Sequence, residues 1–363
     1  MTAPPSPEIG HVLERAGSRE ELTRDEVELL LAVGSREEAE PLFTAARALR
    51  EEQFGRRVFL YGFVYFSTYC RNWCTFCYYR RGNPESPRYR KSIDEVVAIG
   101  HDLAASGVHL LDLTMGEDPL IHDAPDFGAL VDLVATVRRE VGLPVMVSPG
   151  VVPDDVLVAL AAAGADWYAC YQETHTRDLY ARLRVRQDYE ERAAARGAAA
   201  RSGLLVEDGI LLGVGETIAD RAASILEMRR QPLAQVRVMS FVPQPGTPLA
   251  GRESPRVLEE QVVIAVMRLV MPDRLIPASL DVEGIAGLEA RLEAGANVVT
   301  SIVPPSSGLA GVSQAELDID AGRRTVAGVV ERLPALGLEA ADAGEYAAWV
   351  SAARARQTAA IAV

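Results

Sequence analysis

Val58-Phe-Leu-Tyr-Gly-Phe-Val-Tyr-Phe66 is aromatic, β-branched and almost unbroken in its apolar run, the pattern of a strand buried on both faces. Strands of that kind belong to parallel sheets covered by helices. Downstream of it, strand and helix signals alternate. Further strands are expected at His109–Thr114, Pro144–Val147, Asp166–Tyr171, Leu204–Leu212, Gln235–Ser240, Arg274–Ser279 and Ala296–Ile302. Helical spacing fits between them at Ser92–Ala105, Phe127–Val141, Pro153–Ala163, Tyr189–Ser202, Thr217–Arg230, Pro255–Val270 and Ile285–Ala294. Ser92-x-x-Glu95 and Thr217-x-x-Asp220 read as capping boxes, and Ser254-Pro255 as a helix start with proline at the first helical position. Eight strands with seven intervening helices predict an α/β fold, a (β/α)8 TIM-type barrel.

Upstream, Pro7–Val33, with an interruption near Gly17, and Arg36–Gln53 read as helices. The expected organisation is an N-terminal helical extension over 1–55, the barrel over 56–310, and C-terminal helices packed on the barrel over 311–363.

The 363 residues carry 48% hydrophobic and 24% charged side chains, which excludes a disordered or disulfide-scaffold chain. A net charge of −14 argues against a nucleic-acid partner. No apolar run of 18 residues exists, so no membrane span is expected, and the first ten residues hold no apolar signal region. The expected location is cytoplasmic. Lys91 is the only lysine, so Schiff-base chemistry has a single candidate.

In such barrels the active site is built at the carboxyl ends of the strands. The unusual polar segments fall there: the cysteines after strand one, Thr114–Pro119 after strand two, Ser148–Gly150 after strand three, Gln172–Thr174 after strand four. Gly213–Gly215, Arg237, Ser279–Asp281 and Ser301–Pro305 follow on strands five to eight. That placement alone predicts an enzyme.

Cys70-x3-Cys74-x2-Cys77 offers three thiolates, which suit zinc or an iron–sulfur cluster. Structural zinc takes four closed ligands, usually as two pairs. Here no second pair exists: Cys170 stands alone, and His11, His101, His109, His122 and His175 show no ligand spacing. A cubane held by three cysteines leaves one iron open to a further ligand.

The spacing, with Phe76 before the last cysteine, resembles the radical S-adenosylmethionine superfamily. Met115-Gly116-Glu117, the Tyr171-Gln172-Glu173-Thr174 stretch with Leu179-Tyr180 and Arg192, and Gly209-x-Leu211-x-Gly213-x-x-Glu216 resemble its biotin synthase-like branch. Tyr65–Cys70, Asp112–Pro119, Val206–Ile210, Arg274–Asp281 and Asn297–Ile302 resemble the methylornithine synthases of pyrrolysine biosynthesis, over roughly Glu51 to Leu336.

The resemblance implies a 4Fe–4S cluster on Cys70, Cys74 and Cys77, S-adenosyl-L-methionine as cofactor, and a low-potential electron donor such as flavodoxin or ferredoxin. It implies cofactor contacts from Phe76, Met115, Gly116, Glu117, Ser148, Glu173, Arg192 and Gly213. The implied activity is that of an isomerase: L-lysine becomes (3R)-3-methyl-D-ornithine by radical fragmentation and recombination. Arg237, Ser279 and Asp281 are assigned to the α-amino acid end. Asp112, ending strand two, is the candidate for the distal ammonium.

Each residue also has a plainer role to weigh. Arg237 and Asp112 would satisfy each other as a buried salt bridge, and Ser279 would satisfy backbone. Arg192, beside Glu190 and Glu191, would be a solvated ion pair; Cys170 a small buried hydrophobe; Asp118 a cap; His175 an ordinary loop residue. Biotin synthase chemistry needs a second cluster that one remaining cysteine cannot hold. A lysine 2,3-aminomutase needs a cofactor lysine, and Lys91 lies just before a capping box. A hydrogenase maturase of the same branch, a mutase of another amino acid, or a zinc-stabilised scaffold barrel are the alternatives.

Overall fold

The computed structural model of the protein describes residues 6–309, 311 and 323–361. Its frame is eight strands: β1 (Arg57–Ser67), β2 (Leu110–Met115), β3 (Val145–Ser148), β4 (Trp167–Ala169), β5 (Leu205–Leu212), β6 (Gln235–Ser240), β7 (Pro277–Ser279) and β8 (Val298–Ile302). They run in the order β6-β5-β4-β3-β2-β1-β8-β7, and all ladders are parallel. β6 and β7 meet where the Val236 amide donates to the Leu275 carbonyl and the Leu275 amide to the Ala234 carbonyl, both at 3.0 Å. That contact closes the barrel. β1 is buried from Val58 to Ser67, as its continuous apolar run requires.

Helices α1 (Pro7–Gly17), α2 (Arg24–Leu31) and α3 (Arg36–Phe54) precede the barrel and pack on its outer layer, α3 against α11 (Val257–Val270). Between strands lie α4 (Ile93–Ser106), α5 (Pro119–His122), α6 (Gly128–Val141), α7 (Asp154–Ala162), α8 (Arg177–Leu183), α9 (Tyr189–Arg201), α10 (Ile218–Arg230) and α12 (Leu288–Glu293). Both capping boxes form: Ser92 and Glu95 start α4, Thr217 and Asp220 start α10. Each such cap contributes about 1 kcal/mol.

Four expectations need correction. The start at Pro255 is displaced: α11 begins at Val257 behind Arg256, whose side chain pairs with Glu259. The stretch at 285–294 is a 3-10 turn, Gly284–Gly287, before α12, and the two strands expected from Asp166 and Arg274 shrink to β4 and β7. Helices α5 and α8 stand where loops were expected. The interruption expected near Gly17 is present: Pro7–Val33 holds two helices separated by Ser18–Thr23, where Thr23 caps α2.

The chain ends at the opposite pole from the polar loops. Short strand β9 (Glu339–Ala340) pairs with Arg57 and Val58 at the start of β1, after α13 (Val326–Val330). Helix α14 (Ala343–Ile361) then lays Tyr346 and Trp349 against Phe59, His109 and Trp167, the last two rings stacking as Trp167 on Trp349. His109 receives the Leu60 amide on Nδ1 at 2.8 Å, so its Nε2 carries the hydrogen donated to the Ala341 carbonyl. Residues 312–322, where part of the expected C-terminal region falls, lie outside the described residues.

Candidate active site

The loop after β1 carries Cys70, Cys74 and Cys77, none in a disulfide, and all three line one cavity of about 230 Å³ at the carboxyl ends of the strands. The loop is braced by backbone bonds from Arg71 N to Glu117 O (2.8 Å) and from Thr75 N to Leu183 O (2.9 Å). Arg88 closes its far end by donating to the carbonyls of Thr68, Tyr79 and Arg80. Burial pushes the Cys70 thiol up to about 12, and Cys77 upward too, with the neighbouring cysteines adding to both. Such thiols ionise only where a cation compensates them. Gln187 Nε2 and Arg184 Nη1 already donate to Cys74 Sγ, at 3.0 and 3.8 Å.

Among the described residues, no three Cys, His, Asp or Glu side chains are grouped as for a single metal ion. The thiols ring a cavity instead, and a sulfide-bridged cluster, whose core separates its ligating sulfurs, fits that donor set. Phe76 sits on the cavity wall and packs against Leu183, Leu211 and Phe241.

Met115, Gly116 and Glu117 form the next wall. Gly116 is required here, because a Cβ would lie 2.3 Å from the Tyr69 carbonyl oxygen and 2.9 Å from Cys70 Cβ. Burial opposes ionisation of Glu117, but Arg192, His122 and Arg71 outweigh it and hold its carboxyl below the usual range. Its Oε1 pairs with Arg192 Nη2 at 3.2 Å and its Oε2 with Arg71 Nε at 3.1 Å. Arg192 is 3% exposed and also donates to Cys170 Sγ at 3.0 Å. It is therefore a buried cation on the cavity, not a solvated surface pair, and Cys170 is a hydrogen-bond acceptor as well as a hydrophobe. Glu173 has φ +68°, a strained setting for a non-glycine residue, and its Oε1 takes Arg184 Nη2 at 2.6 Å. Ser148 lines the cavity. Gly213 is not on that lining: its neighbour is Pro255, and its amide donates to Glu216.

The inner end holds a second set of charges. Arg237 Nε donates to Glu207 Oε1 at 2.7 Å and its Nη1 to Thr300 at 3.1 Å; Tyr171 donates to Glu207 Oε2 at 3.2 Å. The ion pair weighed as the plainer role for Arg237 and Asp112 is not formed; Arg237 pairs with Glu207 instead. Asp112 is fully buried one layer behind the lining, where Thr114 and Ser148 both donate to its Oδ1 at 2.9 Å. Burial, then the charge of Glu207, raise its pKa to about 7 against the pull of Thr114, Arg237 and Ser148. Asp112 Oδ2 and Arg237 Nη2 are buried without a hydrogen-bond partner. An acceptor and a donor left open in a barrel interior are unusual, each costing about 1–3 kcal/mol until filled.

Ser279 and Asp281 line the cavity beside this set. Asp281 takes Tyr65 Oη at 2.8 Å, Ser301 Oγ at 2.9 Å and Arg324 Nη1 at 3.0 Å. Asp118 is the N-cap of α5 and pairs with Arg90. His175 is buried between Asp208 and Tyr189. Lys91 lies 3.5 Å from Glu95, away from the cavity.

Sequence reasoning missed Glu207, Arg184, Arg324, and a Glu260–Arg291 pair (2.6 Å) on the cavity wall. For Glu207 a signal was present: two acids, Glu207 and Asp208, sit inside the apolar run Leu204–Leu212. Asp208 faces outward to Arg196 and His175, which leaves Glu207 to the interior.

Residues 64–228 match the model of the radical SAM superfamily. The chain is 45% identical over 328 residues to a 3-methylornithine synthase of Methanosarcina barkeri, covering 90% of this chain and 93% of that one. It is 30% identical over 291 residues to the FeFe hydrogenase maturase subunit HydE of Thermotoga maritima, covering 79% and 82%. A crystal structure of methylornithine synthase superposes with a TM-score of 0.88 at 43% identity, over 93% of this chain and 99% of that one.

Proposed function

The chain belongs to the radical S-adenosylmethionine superfamily and, within it, to the family of the 3-methylornithine synthases, and on that footing we propose that it isomerises L-lysine to (3R)-3-methyl-D-ornithine, the first step of pyrrolysine biosynthesis. The observation that carries this reading is that three free thiols and the Arg237, Ser279 and Asp281 side chains line one cavity. Held by Cys70, Cys74 and Cys77 and reduced by a flavodoxin or ferredoxin, a 4Fe–4S cluster with S-adenosylmethionine would supply the radical chemistry that removes a side-chain hydrogen and returns it. Substrate and product are isomers, so no net redox change occurs.

The protein's part is placement. Arg237, held at Nε by Glu207, has Nη2 open for the substrate carboxylate. Ser279 and Asp281 face the α-amino group, and Asp112 Oδ2 is the matching anion for the distal ammonium. Glu117, Glu173 and Arg192, with Met115, Gly116 and Ser148, are the polar and backbone wall for the cofactor, and Phe76 is its apolar face. Two fragments formed in the cavity must stay oriented to recombine, which fixed charges at both ends of a linear diamino acid achieve. No described helix is long and apolar enough to cross a membrane, and four free cysteines suit the reducing cytoplasm.

The test is an anaerobic incubation of reconstituted protein with S-adenosylmethionine, reductant and L-lysine, read by chiral chromatography with mass detection. A new peak with the mass of lysine is expected. Deoxyadenosine released without that peak would overturn lysine as the substrate, and an intact cluster giving neither would overturn the mutase reading.

A further inference from the structure

From Arg71 to Lys91 the chain carries Arg71, Arg80, Arg81, Arg88, Arg90 and Lys91 against the single acid Glu85, in a protein with 51 acidic and 37 basic residues. Most of these cations have work inside the fold. Arg71 pairs with Glu117, Arg88 donates to backbone carbonyls, Arg90 pairs with Asp118, and Lys91 lies by Glu95. Arg80 and Arg81 make no ion pair among the described residues, and neither does Arg186, which follows α8. These three gather on one ring: their guanidinium carbons lie 5.5, 5.8 and 5.9 Å from the centroid of Trp73. Arg186 does so from φ +64°, a backbone setting that costs a non-glycine residue energy.

Trp73 stands between Cys70 and Cys74, and the arginines are tied to the same loop. Arg81 N donates to Asn72 O at 2.6 Å, Arg80 N to Cys77 O at 3.2 Å, and Arg80 Nε to Cys74 O at 3.1 Å. Trp73, Arg81 and Arg186 border an outward groove that adjoins the main cavity, with Cys70, Asn72, Glu117 and Arg192 lining both; Asp123, Asp188 and Glu191 also border it. The result is an exposed patch of unpaired positive charge around a half-buried aromatic ring, on an otherwise acidic body, against the outer side of the thiols.

We infer that the Trp73 patch is the docking face for a small acidic protein carrying a low-potential one-electron centre, of the flavodoxin class. This rests on the proposed radical function, which needs the cluster reduced. The step moves one electron: the reduced flavin of the partner is oxidised by one electron, the cluster on Cys70, Cys74 and Cys77 is reduced by one, and no bond or proton is transferred. Because the isomerisation returns its hydrogen, the electron is needed for activation and not on every turnover. A brief, salt-sensitive encounter steered by exposed charge is enough for that, and loose arginines at a rim provide it. An RNA backbone would also meet arginine and tryptophan, but a body of net charge −14 repels a long polyanion that extends beyond the patch.

The experiment is anaerobic calorimetric titration of the cluster-loaded protein with an acidic flavodoxin, at low and at raised salt. Three proteins are compared: wild type, R81E/R186E, and R139E/R201E, which carries the same change of net charge on the exposed ends of α6 and α9. We expect wild-type binding to weaken with salt, R81E/R186E to bind at least tenfold more weakly, and the control to stay within twofold. In assays without lysine, where each cleavage of S-adenosylmethionine consumes an electron, R81E/R186E forms deoxyadenosine like wild type with dithionite and at least tenfold more slowly with flavodoxin. R81Q/R186Q, expected to lie between, replaces the double reversal if its iron content falls. Equal binding by R81E/R186E and wild type, an equal loss in the control, or tight binding of a single-stranded RNA in place of flavodoxin would overturn the assignment. Wild type inactive even with dithionite would overturn the radical function, while the binding arm would still decide the patch.

Discussion

Replacing Asp112 by asparagine should make the protein less sensitive to rising pH. Asp112 has a folded pKa of about 7 because it is buried and faces Glu207, against about 3.9 for an unfolded aspartate. A carboxyl whose pKa is raised by folding favours the fold below its unfolded pKa and opposes it increasingly as pH climbs to the folded one. Converted from the pKa shift, the wild-type penalty is about 2 kcal/mol at pH 5 and about 4 kcal/mol at pH 8. The substituted amide keeps an acceptor for Thr114 and Ser148 but cannot titrate, so any packing cost it brings is a constant offset. The difference in stability between D112N and wild type should therefore move by about 2 kcal/mol in favour of D112N from pH 5 to pH 8. For a chain of this length that is about 3 °C in melting temperature. Differential scanning fluorimetry in steps of half a pH unit would trace it. Parallel melting curves for the two proteins would refute the claim that Asp112 sits uncompensated in the substrate-free barrel. Lysine binding supplies a further check: its ammonium stabilises ionised Asp112, so affinity measured by equilibrium dialysis should rise from pH 5 to pH 7 and then level off, and D112N should lose that slope.

Glu207→Gln leaves Arg237 without its charged partner in the interior, which should cost about 3 kcal/mol of stability, and should raise KM for lysine more than it lowers kcat because Arg237 is no longer held. The same change removes the neighbouring charge that lifts Asp112, so the pH dependence should shift downward; an unmoved profile would deny the coupling of the two acids. Gly116→Ala pushes a methyl into the Tyr69 carbonyl and Cys70, so iron bound per chain after reconstitution should fall well below wild type, and full iron loading would show that the loop can yield.

The barrel was legible because β1 writes its burial into a nearly unbroken apolar run, because β5 and β6 keep apolar residues around the few charges they bury, and because two capping boxes fixed the starts of α4 and α10. β7 was overread because Leu275 and Ile276 are apolar and buried yet contribute only the closing contact with β6 at Leu275. Among site residues, the cysteines announced themselves by spacing, which is local. Arg324 and the Glu260–Arg291 pair did not, and Glu207 showed only as an acid in an apolar run with no sign of its partner, since these buried ion pairs join positions 30 or more residues apart. Arg192 misled for the converse reason: with Glu190 and Glu191 beside it on a helix, its neighbours in sequence are polar, while in the fold it turns inward to Glu117 and Cys170.

The pairing of β9 with β1 sets a timetable for synthesis. β1 begins at Arg57, yet its lateral partners include Val298 of β8 and Glu339 of β9, which leave the ribosome long after it. Until then one flank of the most apolar strand in the chain has no hydrogen-bonding neighbour, and Phe59, His109 and Trp167 lack the rings of Tyr346 and Trp349. Contacts this distant in sequence make closure slow, and an unpaired apolar strand held open in the meantime invites association with other nascent chains. Shedding the final helix would strip those two rings from the finished molecule while leaving β8 and β9 paired with β1.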